Sequence, residues 1–171
     1  ALLTPVAKAF LTDMAYDSCG LGQMVFGGHG YVREWGQEQL VRDVRIAQIY
    51  EGTNGIQSLD LMARKVAANK GDSLSVYLTE MEEFINLHLS NEKLSSCLSL
   101  LSESIIKLKK ITDLILDKAS SDKNILGASA TDYLAVVGYV SSAYMWAMMI
   151  EKSQNKTSSD DFYHAKCFVG E

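Results

Sequence analysis

Across residues 92–119 the apolar residues Leu94, Leu98, Leu101, Ile105, Leu108 and Ile115 recur at intervals that alternate between four and three, with Thr112 as the one polar interruption. That alternation follows the 3.6-residue helical turn, so the residues fall on one stripe of a long helix. A stripe of this kind needs a second helix to cover it. Two neighbouring stretches offer one. Residues 73–89 turn Leu74, Tyr77, Leu78, Met81, Phe84 and Ile85 inward, and residues 125–152 place Leu126, Ala130, Tyr133, Val137, Val140, Tyr144 and Met148 on one face. With a single proline in 171 residues there is little to interrupt such helices. The predicted fold is all-α: up-and-down helical bundles, with residues 72–171 packed as an antiparallel set that also contributes to subunit contacts.

The first 68 residues are helical too, but more broken. Thr4-Pro5 reads as a helix start, Thr as N-cap and Pro at the first helical position. Val6, Ala9, Phe10, Met14 and Ala15 continue the stripe to about Phe26, across Gly20 and Gly22, whose cost close helix or cofactor approach would explain. Gly27, Gly28 and Gly30 then end the helix. Residues 37–48 form a short helix with Leu40, Val41, Val44 and Ala47 on one face. Residues 54–68 form the next, with Ile56, Leu59, Ala63 and Val66 inward. Asn69-Lys70-Gly71-Asp72 is the clearest boundary, dividing residues 1–68 from residues 72–171, and a last helix is expected over residues 162–168.

Composition narrows the function classes. A net charge of -5 leaves no basic footprint for nucleic acid. Cys19, Cys97 and Cys167 are odd in number and widely spaced, which fits reduced, buried thiols better than disulfides or a metal site. Residues 133–150 carry no charge and reach the short edge of a membrane span. Gly138, Ser141, Ser142 and three tyrosines dilute that stretch, so a bundle-core helix is the better reading. Ala1-Leu2-Leu3 is too short for a signal-peptide core, and both ends read as though cut from something longer.

Chemistry gathers between residues 23 and 57. Glu51 follows the apolar run Ile46-Ala47-Gln48-Ile49-Tyr50 and precedes Gly52, which adopts backbone angles other residues avoid. Thr53 fits as N-cap of the next helix. A carboxylate between Tyr50 and a helix start is expected to be partly desolvated, which would raise its proton affinity and suit a general base. A solvated turn glutamate is the plainer alternative. The glycine cluster reads either as a C-cap turn or as small residues that let an anion or flat ring approach. It is no Rossmann site, since the GxGxxG spacing and its strand are missing. Arg42 reads as an anion ligand or as a salt bridge between turns.

Gln23 with Gly27-Gly28-His29-Gly30-Tyr31, then Arg42-Asp43, Ile49-Tyr50-Glu51-Gly52-Thr53 and Ile56-Gln57, in this order and spacing, resemble the acyl-CoA dehydrogenases. The resemblance covers residues 5–68 strongly. Residues 72–171 resemble, by helix pattern and position, the C-terminal extension of the branch acting on larger acyl-CoAs. It implies an FAD-dependent oxidoreductase that desaturates an acyl-CoA thioester between Cα and Cβ. Glu51 would be the base, Gln23, Gly27, Gly28 and Thr53 would contact FAD, and Tyr50 and Gly52 would line the substrate. It further implies an electron-acceptor flavoprotein, a homo-oligomer, and a cytoplasmic or, in a eukaryote, mitochondrial-matrix location. A non-catalytic helical interaction module and a flavin oxidase or monooxygenase of the same fold are the rivals. This stretch alone is expected to fold but not to catalyse, because no β-rich segment is present to enclose the flavin.

Overall fold

The computed structural model describes residues 2–153, and among them every regular element is a helix. The N-terminal half contains α1 (Thr4–Val25), the single turn α2 (Gly28–Tyr31), α3 (Gln37–Arg45) and α4 (Asn54–Leu59). The C-terminal half contains α5 (Asp72–His88), α6 (Ser95–Ser121) and α7 (Asn124–Ser153). The expected helix over 162–168 and Cys167 lie outside the described residues.

The apolar stripe forms the core of α6 and of the turn that leads into it: Leu94, Leu98, Leu101, Ile105 and Leu108 are all but inaccessible. Burying each is favourable by about 1.5–3 kcal/mol relative to leaving it in water. A two-residue link turns α7 back along α6, and α7 also packs on α1 and α4. Because it is covered from two sides, its buried set is wider than one face. Ala130, Tyr133, Leu134, Val137, Val140, Tyr144, Ala147 and Ile150 are buried, whereas Leu126 and Met148 are only half-buried. This helix is long and apolar enough to cross a membrane by length and composition, and it forms the centre of the bundle. Helix α5 turns Leu74, Leu78, Met81 and Ile85 inward as expected. Tyr144 donates to Glu80 on α5 at 3.3 Å, with its ring 5.5 Å from that of Phe84.

Thr112, the polar interruption, is buried and satisfied. Its hydroxyl donates to the Leu108 carbonyl at 2.8 Å and lies 2.8 Å from the Tyr133 hydroxyl on α7. Since Thr112 has only one proton to give, Tyr133 is the donor between them. Burial, together with the negative charge of Asp113, pushes the Tyr133 phenol up to about 12 against the lowering effect of the Thr112 hydrogen bond. In the unfolded chain it ionises near 10, so its contribution is intact below pH 10 and is lost as pH rises toward 12. Over that window stability is expected to fall by about 2–3 kcal/mol from this group. Urea unfolding of the parent and of Tyr133→Phe across the range should isolate the difference, and parallel profiles would refute it.

Several local expectations need correction. Helix α1 begins one residue early, with Leu3 as N-cap; Thr4 lies in the first turn and makes no capping bond, while Pro5 sits where no N–H partner is needed. The 54–68 helix is α-helical only to Leu59, then widens into a π-helical stretch (Asp60–Val66) and a 3-10 turn (Ala67–Asn69). Ser58, Leu61, Met62 and Val66 face the core while Ile56 and Leu59 are exposed, and the change of face is already set in the α-helical part, before the wider turn. Leu40 on α3 is 53 % exposed, with Val41, Val44 and Ala47 half-buried. Cys97 is buried but Cys19 only half-buried. At the 69–72 boundary Lys70 and Gly71 both take left-handed angles. The segments on either side nevertheless share one hydrophobic cluster running from Val6 to Ile150.

Two glycines in long helices are explained by close contact. A Cβ at Gly22 would lie 2.8 Å from the Gln37 amide, which donates to the Cys19 carbonyl and ties α3 to α1. A Cβ at Gly138 would lie 2.4 Å from the Phe10 ring, where α7 crosses α1.

Candidate active site

The chain leaves α3 through a 3-10 turn (Ile46–Gln48), and the amides of Ile49 and Tyr50 both bond back to the Ile46 carbonyl. It must then reverse before α4. Glu51 and Gly52 do this together, at φ +54° and φ +88°. Glycine tolerates that region, whereas a side-chain-bearing residue is strained there by about 1–3 kcal/mol. Such strain persists only where neighbours hold it in place, and here they are visible. Gln57 Nε2 donates to the Glu51 carbonyl at 3.0 Å, and Lys8 Nζ, on α1, donates to the Gly52 carbonyl at 2.7 Å. Lys8 Nζ also donates to Asn54 Oδ1 at 2.7 Å, and Asn54 Nδ2 donates to Asp13 Oδ1 at 2.6 Å. On the approach side Gln48 Nε2 donates to the same Asp13 oxygen at 2.5 Å, and Arg45 lies over the Tyr16 ring at 4.9 Å. Lys8, Thr12, Asp13 and Tyr16 therefore form a polar rail on α1 to which both flanks of the turn are bound.

At the crest of this turn the Glu51 side chain is exposed, as are Ile49 and Tyr50, the neighbours expected to shield it. The anticipated desolvation is absent in this chain, because the flanking apolar residues point outward instead of closing over the carboxylate. Thr53 is the N-cap of α4 by position and backbone angles (φ -57°, ψ 159°), but its hydroxyl makes no capping bond and is exposed. Gly52 is half-buried and Tyr50 53 % exposed.

The other group of predicted residues lies at the far end of α1. Gly27 has φ +59° and redirects the chain into α2, and Gly30 packs so tightly that a Cβ there would meet the Gln23 carbonyl at 2.2 Å. Gln23 Nε2 donates to the Gly30 carbonyl at 3.2 Å and so braces the turn. Gly27 and Gly28 are exposed, and a Cβ on either would meet no atom within 4 Å. His29 stacks edge-on against Trp35 at 4.7 Å, a surface contact. Beside the turn, Gln23, Tyr31, Arg33, Glu38, Val41 and Arg42 line an open cleft of about 410 Å³. Arg42 is engaged within its own helix, with Glu38 at 3.0 Å and with Gln39, so its salt bridge does not link separate turns.

Fifteen residues of α1 separate Gln23 from Lys8, roughly 22 Å at helical rise. The structure therefore brings together Tyr50, Glu51, Gly52 and Thr53, and separately Gln23, Gly27 and Gly28, but not the two groups with each other.

Known protein families recognise both halves. Residues 2–66 match the family model described as acyl-CoA dehydrogenase, C-terminal domain, and residues 77–170 match the one described as acetyl-CoA dehydrogenase C-terminal like. The chain belongs to the acyl-CoA dehydrogenase family. Among individual relatives, a 3-methylmercaptopropionyl-CoA dehydrogenase of Ruegeria pomeroyi is 30 % identical over 96 % of this chain and 29 % of its own length. A broad-specificity linear acyl-CoA dehydrogenase of Mycobacterium tuberculosis is 31 % identical over 61 % of this chain and 17 % of its own. A butyryl-CoA dehydrogenase of Syntrophomonas wolfei is 40 % identical over 47 % of this chain and 13 % of its own. The chain thus spans less than a third of the length of these acyl-CoA dehydrogenases.

The residues of the site that sequence reading passed over are Lys8, Asp13, Gln48, Asn54 and Gln57. Their signal was available only in part. Lys8, Thr12 and Tyr16 recur every four residues along one flank of α1, and Asp13 adjoins that flank beside the buried Ala9, but polar residues on an amphipathic helix ordinarily mean solvent.

Proposed function

We propose that this chain is the C-terminal helical portion of a flavin-dependent acyl-CoA dehydrogenase that desaturates an acyl-CoA thioester between Cα and Cβ, with Glu51 as the base. The observation that carries the proposal is the Glu51 turn. A carboxylate is presented at the crest of a strained backbone reversal that five hydrogen-bonding side chains from three segments hold in place. Strain retained around one acidic side chain is characteristic of a site under functional constraint.

The residues present fit FAD. The open surface over Gly27 and Gly28 lets a ligand approach backbone amides directly, Gln23 flanks it, and the uncommitted Thr53 hydroxyl stands beside Glu51. The separation of the two groups along α1 agrees with the resemblance, in which the glutamine and glycines serve FAD held mainly by a neighbouring subunit. When bound, FAD supplies the acceptor for the substrate's β-hydride.

This chain's residues do the rest. A thioester carbonyl acidifies its Cα protons, though not enough for a carboxylate in water to remove one quickly. Hydrogen bonding to that carbonyl oxygen, from the backbone N–H of Glu51, stabilises the developing enolate. The Glu51 carboxylate takes the α-proton. Tyr50 and Gly52 line the thioester, and the exposed Ile49 and Tyr50 become the dry wall of the site once the rest of the enzyme closes over them. An electron-acceptor flavoprotein, a homo-oligomeric assembly and a cytoplasmic or mitochondrial-matrix location belong to the same reading.

Acyl-CoA-dependent bleaching of the flavin in the complete protein is the test. The complete protein is expected to be yellow and to bleach, and the 171-residue chain, freed of unbound FAD after incubation with it, to be colourless and inert, because most walls of the site lie elsewhere. A complete protein that holds flavin but never bleaches with any acyl-CoA would overturn the proposal. Stoichiometric flavin on the short chain would overturn its second part.

A further inference from the structure

We infer that Lys8 is a positioning residue for the Glu51 base, acting through the Gly52 carbonyl; this rests on the assignment of Glu51 made above. Glu51 has no helix or sheet of its own to hold it. It stands in the left-handed region beside a second left-handed residue, and its aim depends on what fixes the two peptides that follow it. One is held locally: Gln57, six residues on, donates to the Glu51 carbonyl. The next is held from a distance. Lys8, 44 residues away on α1, donates to the Gly52 carbonyl at 2.7 Å.

The geometry makes Lys8 more than a surface cation. Both its acceptors, the Gly52 carbonyl and Asn54 Oδ1, are uncharged, and both belong to the turn. A salt bridge is therefore not its function here, and its reach spans the step from the reversal to the first residue of α4. Asn54 is itself fixed from the other side, donating to Asp13, to the Thr12 hydroxyl at 3.1 Å and to the Ala9 carbonyl at 3.2 Å. Thr12 donates in turn to the Lys8 carbonyl at 2.6 Å. Lys8 thus closes a ring of hydrogen bonds between α1 and the turn, and it is the member of that ring that holds the peptide following Gly52, the second after Glu51. Without it, Gly52, the most permissive residue of the turn, is free to rotate. The carboxylate would then sample several directions. A misplacement of about 1 Å in a reacting group costs on the order of 100-fold in rate.

The test uses the complete protein as Lys8→Met, Lys8→Arg, Glu51→Gln and the Lys8→Met/Glu51→Gln double variant, with Asn54→Ala as an independent break in the same ring. Four quantities are read: flavin content by absorbance, melting temperature, affinity for an acyl-CoA by the spectral change on binding, and the single-turnover rate of flavin reduction. Lys8→Met is expected to retain flavin and to bind acyl-CoA within about twofold of the parent, yet to be reduced about 10- to 100-fold more slowly. Lys8→Arg should recover part of that rate, and Asn54→Ala should lose about 3- to 10-fold. In the Glu51→Gln background Lys8→Met should leave the residual rate unchanged, since a device for aiming the base has nothing left to aim. A merely structural staple would lower melting temperature and flavin content in both backgrounds without this difference. A Lys8→Met rate within threefold of the parent, or an equal loss in both backgrounds, overturns the inference. If Lys8→Met does not accumulate as holoprotein, an Asn54→Ala rate equal to the parent's does so instead. Near-normal reduction by Glu51→Gln would remove the base assignment, whereas an inactive Glu51→Gln beside a fully active Lys8→Met removes only the role of Lys8.

Discussion

Glu51→Gln in the complete protein is expected to lower the rate of acyl-CoA-dependent flavin reduction by about a thousandfold. Glutamine matches glutamate in length and shape, so the turn keeps its packing, and the backbone N–H proposed to stabilise the thioester oxygen remains. The bonds that fix the reversal involve the carbonyls of residues 51 and 52 and not the carboxylate. Flavin content, melting temperature and acyl-CoA binding should therefore stay close to those of the parent. Only the proposed proton acceptor is removed. Stopped-flow absorbance on the two proteins measures the difference, and reduction within tenfold of the parent would rule out Glu51 as the base.

The second large effect is expected from a position far from any reacting group. Gly138→Val should destabilise the 171-residue chain by about 3 kcal/mol. Helix α7 crosses α1 at this point, and a Cβ at 138 would lie 2.4–2.9 Å from three atoms of the Phe10 ring. Phe10 is buried and packs edge-on against Tyr139 with centroids 5.0 Å apart, and the open space beside it is the groove it lines with Met14 and Tyr139. Either the ring leaves its packed position for that groove or the helices separate. Phe10 lies two residues from Lys8 on α1, so displacing α1 also disturbs the ring of hydrogen bonds around the Glu51 turn. In the complete protein the same substitution should lower turnover as well as stability. Phe10→Ala in the Gly138→Val background should restore part of the stability by removing the atoms that clash. Urea unfolding of the single and double variants decides the matter: a loss below 1 kcal/mol, or no recovery, would show that the crossing is looser than its geometry indicates.

Helices α5, α6 and α7 were legible because their apolar residues repeat at the helical period over four or more turns, and period is a property of sequence alone. Thr112 could be recognised as an interruption of that pattern, but its partner could not, since Tyr133 is brought to it only by the packing of α7 on α6. Gly27 and Gly52 were legible as turn residues, and each takes a left-handed angle. The second left-handed residue, Glu51, was not, because nothing local distinguishes a glutamate held there by distant partners. The spacing over residues 54–68 points to Ile56 and Leu59 as inward, whereas packing turns Ser58, Leu61 and Met62 to the core. Which face of a short helix docks is decided by the helices it meets and not by its own period.

By itself the sequence determined that the chain is helical, where most helices lie, the main stripes that α5, α6 and α7 bury, and to which family it belongs. Each of these rests on local periodicity or on motifs contiguous in the chain. The tertiary structure alone decided that the two segments share one core, that Gly138 must be small, and that Lys8 and Asp13 of α1 hold the turn carrying Glu51. Those facts depend on residues 41 to 128 positions apart coming within a few ångström. Such proximity is set by how whole helices dock, which sums many weak contacts and leaves no mark at any single position.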